Sequence, residues 1–61
     1  MRIVLTREGM YLVIVNNCAF YTFDIEKATD FSNMETEEFA NYKKKLEEKE
    51  MCEFEIKFVR S

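Results

Sequence analysis

The stretch YLVIVNNCAFYTF, residues 11–23, decides the fold of this chain. Ten of its thirteen residues are apolar when tyrosine and cysteine are counted, and they lie on both sides of Asn16-Asn17. Asparagine tolerates the left-handed backbone of a tight turn, so the stretch predicts a hairpin of two strands. A half-buried strand alternates apolar and polar residues, whereas these two strands are apolar on both faces. A second face must therefore be covered as well as the first, and a chain of 61 residues has little material to do so.

The residues before this hairpin extend it into a three-stranded antiparallel meander. Residues 2–6 form a strand candidate, and Glu8-Gly9 joins it to the strand over residues 10–15. Glycine supplies the positive φ that a two-residue hairpin turn requires. The meander is then 2–6, 10–15 and 18–23 in chain order.

The residues after the meander predict one amphipathic helix over residues 35–49. Residues 24–28 are expected to form a short turn or a single helical turn, followed by an extended segment over residues 29–31. Ser32 with Glu35 fits a capping box, and Thr36 is a second N-cap candidate. The apolar stripe at three- and four-residue spacing consists of Phe39, Tyr42 and Leu46.

The last stretch, residues 51–60, returns to a period of two and predicts a fourth strand. The apolar side of the alternation contains Cys52, Phe54, Ile56 and Phe58, and the charged side contains Glu53, Glu55 and Lys57. The fold class is α+β, with the order β-β-β-α-β, in a single domain over residues 1–61. A right-handed crossover places the fourth strand beside and parallel to the first, in the order 3-2-1-4.

Two-residue turns in both hairpins divide the sheet residues between two faces, because opposed residues share a face. The first face contains Ile3, Leu5, Leu12, Ile14, Ala19, Tyr21 and Phe23, and it should receive the helix stripe together with Phe54, Ile56 and Phe58. The second face contains Arg2, Val4, Thr6, Tyr11, Val13, Val15, Cys18, Phe20 and Thr22. One helix covers only one face.

The second face predicts a surface that binds a partner, because contiguous apolar surface usually marks an interface. Its central patch consists of Val4, Tyr11, Val13 and Phe20. The occupant is either another protein or a second copy in a homodimer, and the alternative is that the outer strands curl so that the patch is small. The third strand, which ends at residues 21–23, is less protected by charge than the fourth and is a second candidate for pairing.

The charge distribution adds an acidic rim to this surface. The chain has a net charge of −3. Residues 24–38 carry a single lysine and six carboxylates, which are Asp24, Glu26, Asp30, Glu35, Glu37 and Glu38. Such a surface repels nucleic acid. It serves either as the rim of a protein-binding site or as a mimic of nucleic acid that occupies a basic groove.

The inventory of reactive side chains excludes most catalysis. The chain has no histidine, one glycine, and two cysteines, Cys18 and Cys52, that are far apart in sequence. We expect no enzyme activity, no cofactor and no metal site. Both cysteines are expected to be reduced thiols in the core of a cytoplasmic protein, since no secretory signal or membrane-spanning run is present and no membrane partner is expected.

The stretch TFDIEKATDFS, residues 22–32, carries a resemblance. Together with the acidic-then-basic helix and the short last strand, it resembles small uncharacterised accessory proteins of phages and mobile elements of Gram-positive bacteria. The resemblance implies an accessory protein that binds and inhibits a host protein. A non-enzymatic protein-binding module is therefore the favoured function, and a nucleic-acid mimic and a purely structural homo-oligomer are the alternatives.

Overall fold

The computed structural model describes residues 1–60 and has the expected α+β architecture. The order β-β-β-α-β is confirmed, and the turn expected over residues 24–28 is present as a short 3-10 turn. The elements are β1 (Arg2–Arg7), β2 (Met10–Val15), β3 (Cys18–Thr22), the 3-10 turn (Ile25–Lys27), α1 (Thr36–Glu50) and β4 (Glu55–Val59).

Both hairpins close through two-residue turns of the same type. The φ angles are 50° at Glu8 and 80° at Gly9 in the first turn, and 52° at Asn16 and 64° at Asn17 in the second. Positive φ at both central residues defines a type I′ turn, whose twist matches that of the flanking strands. Glu8 is the residue least suited to this conformation, because its side chain lacks the local hydrogen bonding of asparagine.

The two hairpins differ in how far their strands pair. β2 and β3 pair as expected from Val15 opposite Cys18 to Tyr11 opposite Thr22. β1 and β2 pair only at Thr6 with Tyr11 and at Arg7 with Met10. The expected continuation of this register, from Leu5–Leu12 to Ile3–Ile14, is wrong. The strands separate there because residues 29–31, which we call the wedge, insert between them.

The wedge bonds to β2 through Thr29. The Thr29 N–H donates to the Leu12 carbonyl, with 3.1 Å between nitrogen and oxygen. The Ile14 N–H donates in turn to the Thr29 hydroxyl oxygen at 2.7 Å. Both β2 groups would have bonded to β1 in a continuous hairpin, so Thr29 takes the place of β1 along this part of the ladder.

The other side of the wedge bonds to β1. The Phe31 N–H donates to the Ile3 carbonyl at 2.8 Å, and the Ile3 N–H donates to the Asp30 carboxylate at 3.1 Å. The same carboxylate oxygen accepts the Ser32 N–H at 2.9 Å. These backbone donors lower the pKa of Asp30 below its ordinary range, because they stabilise the charged form.

The sheet order β3-β2-β1-β4 is as expected, but the direction of β4 is not. β4 pairs with β1 antiparallel, from Arg2 opposite Val59 to Thr6 opposite Glu55, so the parallel prediction is wrong. The chain leaves β3 and runs back along the sheet to the wedge before α1 begins. The helix therefore starts at the end of the sheet where β1 starts, and β4 must return in the opposite direction.

The core lies between α1 and the first face of the sheet. Phe31, which the sequence did not place in the core, lies at its centre, with its ring centroid 5.6 Å from that of Phe39 and 5.7 Å from that of Tyr42. The buried cluster consists of Leu5, Leu12, Phe31, Phe39, Leu46 and Phe54, and Ile3, Ile14, Ala19, Tyr21, Met34, Tyr42 and Cys52 pack against it.

Three residues expected in this core are instead exposed. Phe23 is 80 % exposed, Ile56 is 44 % exposed and Phe58 is 62 % exposed. Phe23 follows the end of β3, where the chain turns away. Ile56 and Phe58 share the first face with Leu5 and Ile3, but α1 and Phe31 cover β1 and β2 and leave β4 outside the packed region.

The chain itself covers part of the second face. After β3 the Asp24 N–H donates to the Thr22 hydroxyl at 3.0 Å, and Glu26 forms an ion pair with Arg2 at 3.3 Å. Because Thr22 and Arg2 both belong to the second face, residues 24–28 cross that face before the chain passes between β1 and β2. Val4, on the same face, is fully buried although it lies outside the helix-side cluster.

The ends of α1 differ in detail from expectation. The helix was expected over residues 35–49 and begins and ends one residue later. Glu35 is the N-cap and makes no side-chain cap bond, so the predictions of Ser32 and Thr36 as caps are wrong. At the other end Met51 adopts a left-handed conformation with φ of 55°, which stops the helix.

Glu47 connects the end of α1 to β4. Its carboxylate accepts hydrogen bonds from the Lys43 ammonium at 2.9 Å and from the Phe54 N–H at 2.8 Å. Lys43 and Glu47, four residues apart on the helix, thus form an ion pair. The hydrogen bond from Lys43 is the main cause that lowers the pKa of Glu47, and the bond from the Phe54 N–H is the second.

Among the helical residues described, none forms a segment long and apolar enough to cross a bilayer.

Candidate interaction surfaces

The predicted apolar patch on the second face is not an open surface. Val4 is 0 % exposed and Tyr11 and Val13 are half-buried, while Phe20 is 55 % exposed. The expectation that the whole patch faces solvent is wrong, because residues 24–28 lie across this face. Phe20 escapes this cover because it lies on β3, at the edge of the sheet.

Three of the six acidic side chains of the predicted rim have structural roles. Asp24 accepts the Glu26 N–H at 3.0 Å and so caps the 3-10 turn. Glu26 pairs with Arg2, and Asp30 accepts the Ile3 N–H, which holds the wedge to β1, as well as the Ser32 N–H next to the wedge. These three carboxylates stabilise the segment that covers the second face.

The other three acidic side chains lie at the start of α1. Glu35 is the N-cap, and Glu37 and Glu38 lie in the first turn, where the positive end of the helix dipole stabilises carboxylates. All three side chains are exposed. The six carboxylates are thus divided between the segment that precedes α1 and the start of the helix.

The β3 edge is the most exposed uncharged part of the sheet. Residues 18–23 contain no charged side chain, and Phe20 and Phe23 are 55 % and 80 % exposed. Residues that flank a two-residue turn form a hydrogen-bonded pair, and such pairs alternate along the ladder. Since Val15 and Cys18 flank the turn, β3 directs the N–H and carbonyl groups of Ala19 and Tyr21 away from the sheet.

Tyr21 anchors this edge to the rest of the molecule. Its ring is stacked near Phe54 with 6.4 Å between centroids, and its hydroxyl contacts the Glu50 carboxylate at 3.4 Å. The Arg7 guanidinium lies 5.8 Å from the ring centroid. Partial burial raises the pKa of Tyr21. The backbone of β3 is thus supported from the first face while its outer side is open.

The β4 edge carries an apolar groove that sequence reasoning missed. The groove has a volume of about 210 Å³ and is lined by Ile3, Phe31, Met34, Thr36, Phe39, Ile56 and Phe58. The alternation in residues 51–60 correctly indicated that Ile56 and Phe58 face the helix side. The apolar stripe of the helix contains only three residues. This short stripe was the available signal that the helix covers the two central strands and leaves the outer strand β4 open.

The two cysteines lie in different environments. Cys52 is half-buried against the core, as expected, whereas Cys18 is exposed at the start of β3. The expectation that both are core thiols is therefore wrong for Cys18. Both thiols are free.

Comparison with known proteins assigns the chain to no family and no function, so its function is inferred from its geometry. No protein-family model matches the chain. No curated protein and no solved structure matches it either.

Proposed function

We propose that the chain is a small, non-enzymatic protein-binding module that pairs its β3 edge with an extended segment of another protein. The observation that carries the proposal is an edge strand with no charged residue and with two exposed phenylalanines, Phe20 within the strand and Phe23 directly after it. Edge strands of soluble proteins are normally protected by charge, proline or a bulge. An unprotected edge is the surface used when a partner adds a strand to a sheet.

The geometry of β3 suits strand addition. The outward N–H and carbonyl groups of Ala19 and Tyr21 provide main-chain hydrogen bonds for the added strand. Phe20 lies on the second face, and Phe23 follows the end of the strand. An added strand would bury parts of both rings, which supplies the apolar contribution to binding.

The neighbouring charges favour a partner with basic residues. The β3 edge leads directly into the acidic segment 24–38, so a basic side chain at one end of the added strand would be attracted to it. A host protein that is inhibited by this contact is the partner that the resemblance to phage accessory proteins implies.

The test is affinity capture from a lysate of Gram-positive bacterial cells, with two edge variants and one control. Ala19→Pro removes an outward N–H without breaking the bonds to β2, and Phe20→Lys places a charge on the edge. Val15→Lys is the control, because Val15 is 49 % exposed on the same face but lies on β2.

We expect the wild type and Val15→Lys to retain the same protein and both edge variants to lose it. Retention by the edge variants would reject the β3 surface. Capture that disappears in about 1 M salt, where charges are screened within about 3 Å, would support nucleic-acid mimicry instead of strand addition.

A further inference from the structure

We infer that the β4 edge pairs antiparallel with the β4 edge of a second copy, so that the protein forms a two-fold homodimer centred on Ile56. β4 forms one edge of the sheet and β3 forms the opposite edge. The inference therefore does not depend on the proposed function, and either can fail alone.

The backbone of β4 has free groups in the positions that this pairing needs. The Ile3 N–H and carbonyl face the wedge, so the alternation along β1 directs Val4 and Thr6 toward β4. Their partners on β4 are Lys57 and Glu55. The residues between and beyond them, Ile56 and Phe58, therefore direct their N–H and carbonyl groups to the outside of the sheet.

Charge selects the register of the dimer. With the two-fold axis at Ile56, Glu55 of each copy lies opposite Lys57 of the other. The interface then contains two ion pairs, each between a carboxylate and an ammonium group. With the axis one residue later, Lys57 would lie opposite itself, and like charges directly opposed destabilise a sheet. Glu55 and Lys57 are both exposed, and Lys57 rests over the Tyr11 ring at 5.7 Å in the single chain.

The exposed apolar side chains on the helix side of β4 supply the rest of the interface. A two-fold axis perpendicular to the sheet keeps the helix side of both copies on the same side. Ile56, which lines the groove, then meets its own counterpart, and Phe58 of each copy lies opposite Phe54 of the other. The pairing would bury these two side chains, which are 44 % and 62 % exposed in the single chain.

The Phe54 N–H does not take part in this pairing, because it already donates to the Glu47 carboxylate at 2.8 Å. The central bonds join Ile56 to the second copy's Ile56, and the Phe58 N–H of each copy reaches the Phe54 carbonyl of the other. An isologous contact of this kind closes after two copies, whereas β4 pairing with β3 of a second copy would continue into a filament.

The experiment is sedimentation equilibrium on the wild type, Lys57→Glu, and the charge-swapped variant that combines Glu55→Lys with Lys57→Glu. We expect twice the monomer mass for the wild type, at least a tenfold weaker dimer for Lys57→Glu, and recovery of the dimer in the swapped variant. Lys44→Glu, on the exposed face of α1, is the matched control and should leave the dimer intact.

Two results would overturn the inference. One is a wild type that stays monomeric at millimolar concentration, or that forms larger assemblies than a dimer. The other is a wild-type dimer that Lys57→Glu leaves intact, or that the charge swap does not restore. Amide exchange provides a readout that needs no variant: exchange at Ile56 and Phe58 should slow as the wild-type concentration rises. Phe20→Lys should not change this, which separates the dimer from binding at β3.

Discussion

The two hairpins of this sheet close through turns of the same type, yet only one of them is a complete ladder. β2 and β3 pair over five residue pairs, whereas β1 and β2 pair over two. Both turns specify a register that would continue, so local turn chemistry does not explain the difference. The comparison shows that a type I′ turn fixes how two strands start, and that contacts from elsewhere in the chain decide how far they pair.

The wedge replaces part of the β1–β2 ladder because it supplies both backbone hydrogen bonds and a buried aromatic side chain. Thr29 and Phe31 replace backbone bonds that β1 and β2 would have made with each other. The Phe31 ring fills the space under α1 and is 5 % exposed. Burial of a phenylalanine contributes about 1.5 to 3 kcal/mol, which an extended β1–β2 ladder would forfeit.

The largest effect is expected when Phe31, the apolar part of the wedge, is shortened. Phe31→Ala should lower the free energy of unfolding by about 3 to 4 kcal/mol, because it removes a buried ring and leaves a cavity. Urea denaturation measures the change. Phe23→Ala, at an exposed ring, is the control and should change stability by less than about 0.5 kcal/mol. Equal effects of the two variants would mean that the wedge does not anchor the core.

A smaller effect is expected when the wedge loses its bond to β2. Thr29→Val keeps the shape of the side chain but leaves the Ile14 N–H without the hydroxyl acceptor, at a cost of about 1 to 2 kcal/mol. Amide exchange at Ile14 should accelerate, while exchange at Val13, which faces β3, should not. Thr36→Val, at an exposed threonine of α1, provides the baseline. Unchanged protection at Ile14 would show that β1 can replace Thr29.

Acid should weaken the other side of the wedge. The folded-state pKa of Asp30 is below its ordinary value, so its contribution to stability is present above about pH 3.9 and is lost as the pH falls through the lower folded value. Asp30→Asn should reduce stability at pH 7 by less than Thr29→Val does, because Asp30 is exposed.

The pH dependence provides the check on Asp30. Denaturation midpoints of the wild type and Asp30→Asn should converge as the pH is lowered toward 2, and amide exchange at Ile3 should accelerate before exchange in the β2–β3 hairpin does. Parallel curves for the two proteins down to that pH would show that the Asp30 charge does not hold the wedge.

The smallest effect concerns the turns themselves. Glu8→Asn should stabilise the protein by about 0.5 to 1 kcal/mol, because asparagine followed by glycine is favoured in a type I′ turn. The reverse change in the second turn, Asn16→Glu, should destabilise by a similar amount. Thermal denaturation measures both. A larger effect of either variant would show that turn chemistry, rather than the wedge, sets the extent of pairing.

The sequence was sufficient for the parts of the fold that depend on neighbouring residues. Patterns of a few consecutive residues predict the two hairpin turns, the three strands of the meander, the turn after them and the helix. The register of β2 with β3 followed from Asn16-Asn17 because no other segment competes for those backbone groups.

The parts that could not be predicted depend on residues that are distant in sequence. The bond between Ile3 and Asp30 spans 27 residues, and no periodic pattern marks residues 29–31 as a segment of the sheet. Phe31 offered a weak signal, since it is a large apolar residue outside every predicted strand and helix. The direction of β4 and the burial of Val4 were then missed together, because both follow from the path of residues 24–31.

The position of the wedge also has a consequence for the order of folding. β-Hairpins form within about 1 to 10 μs, and the whole meander precedes residues 24–31 in the chain. β1 and β2 are therefore free to pair over their full length before the wedge inserts between them. The native state then requires that the far end of this first hairpin reopen to admit Thr29 and Phe31. We expect β2–β3 pairing to form early and the final opening of β1 from β2 to accompany docking of the helix.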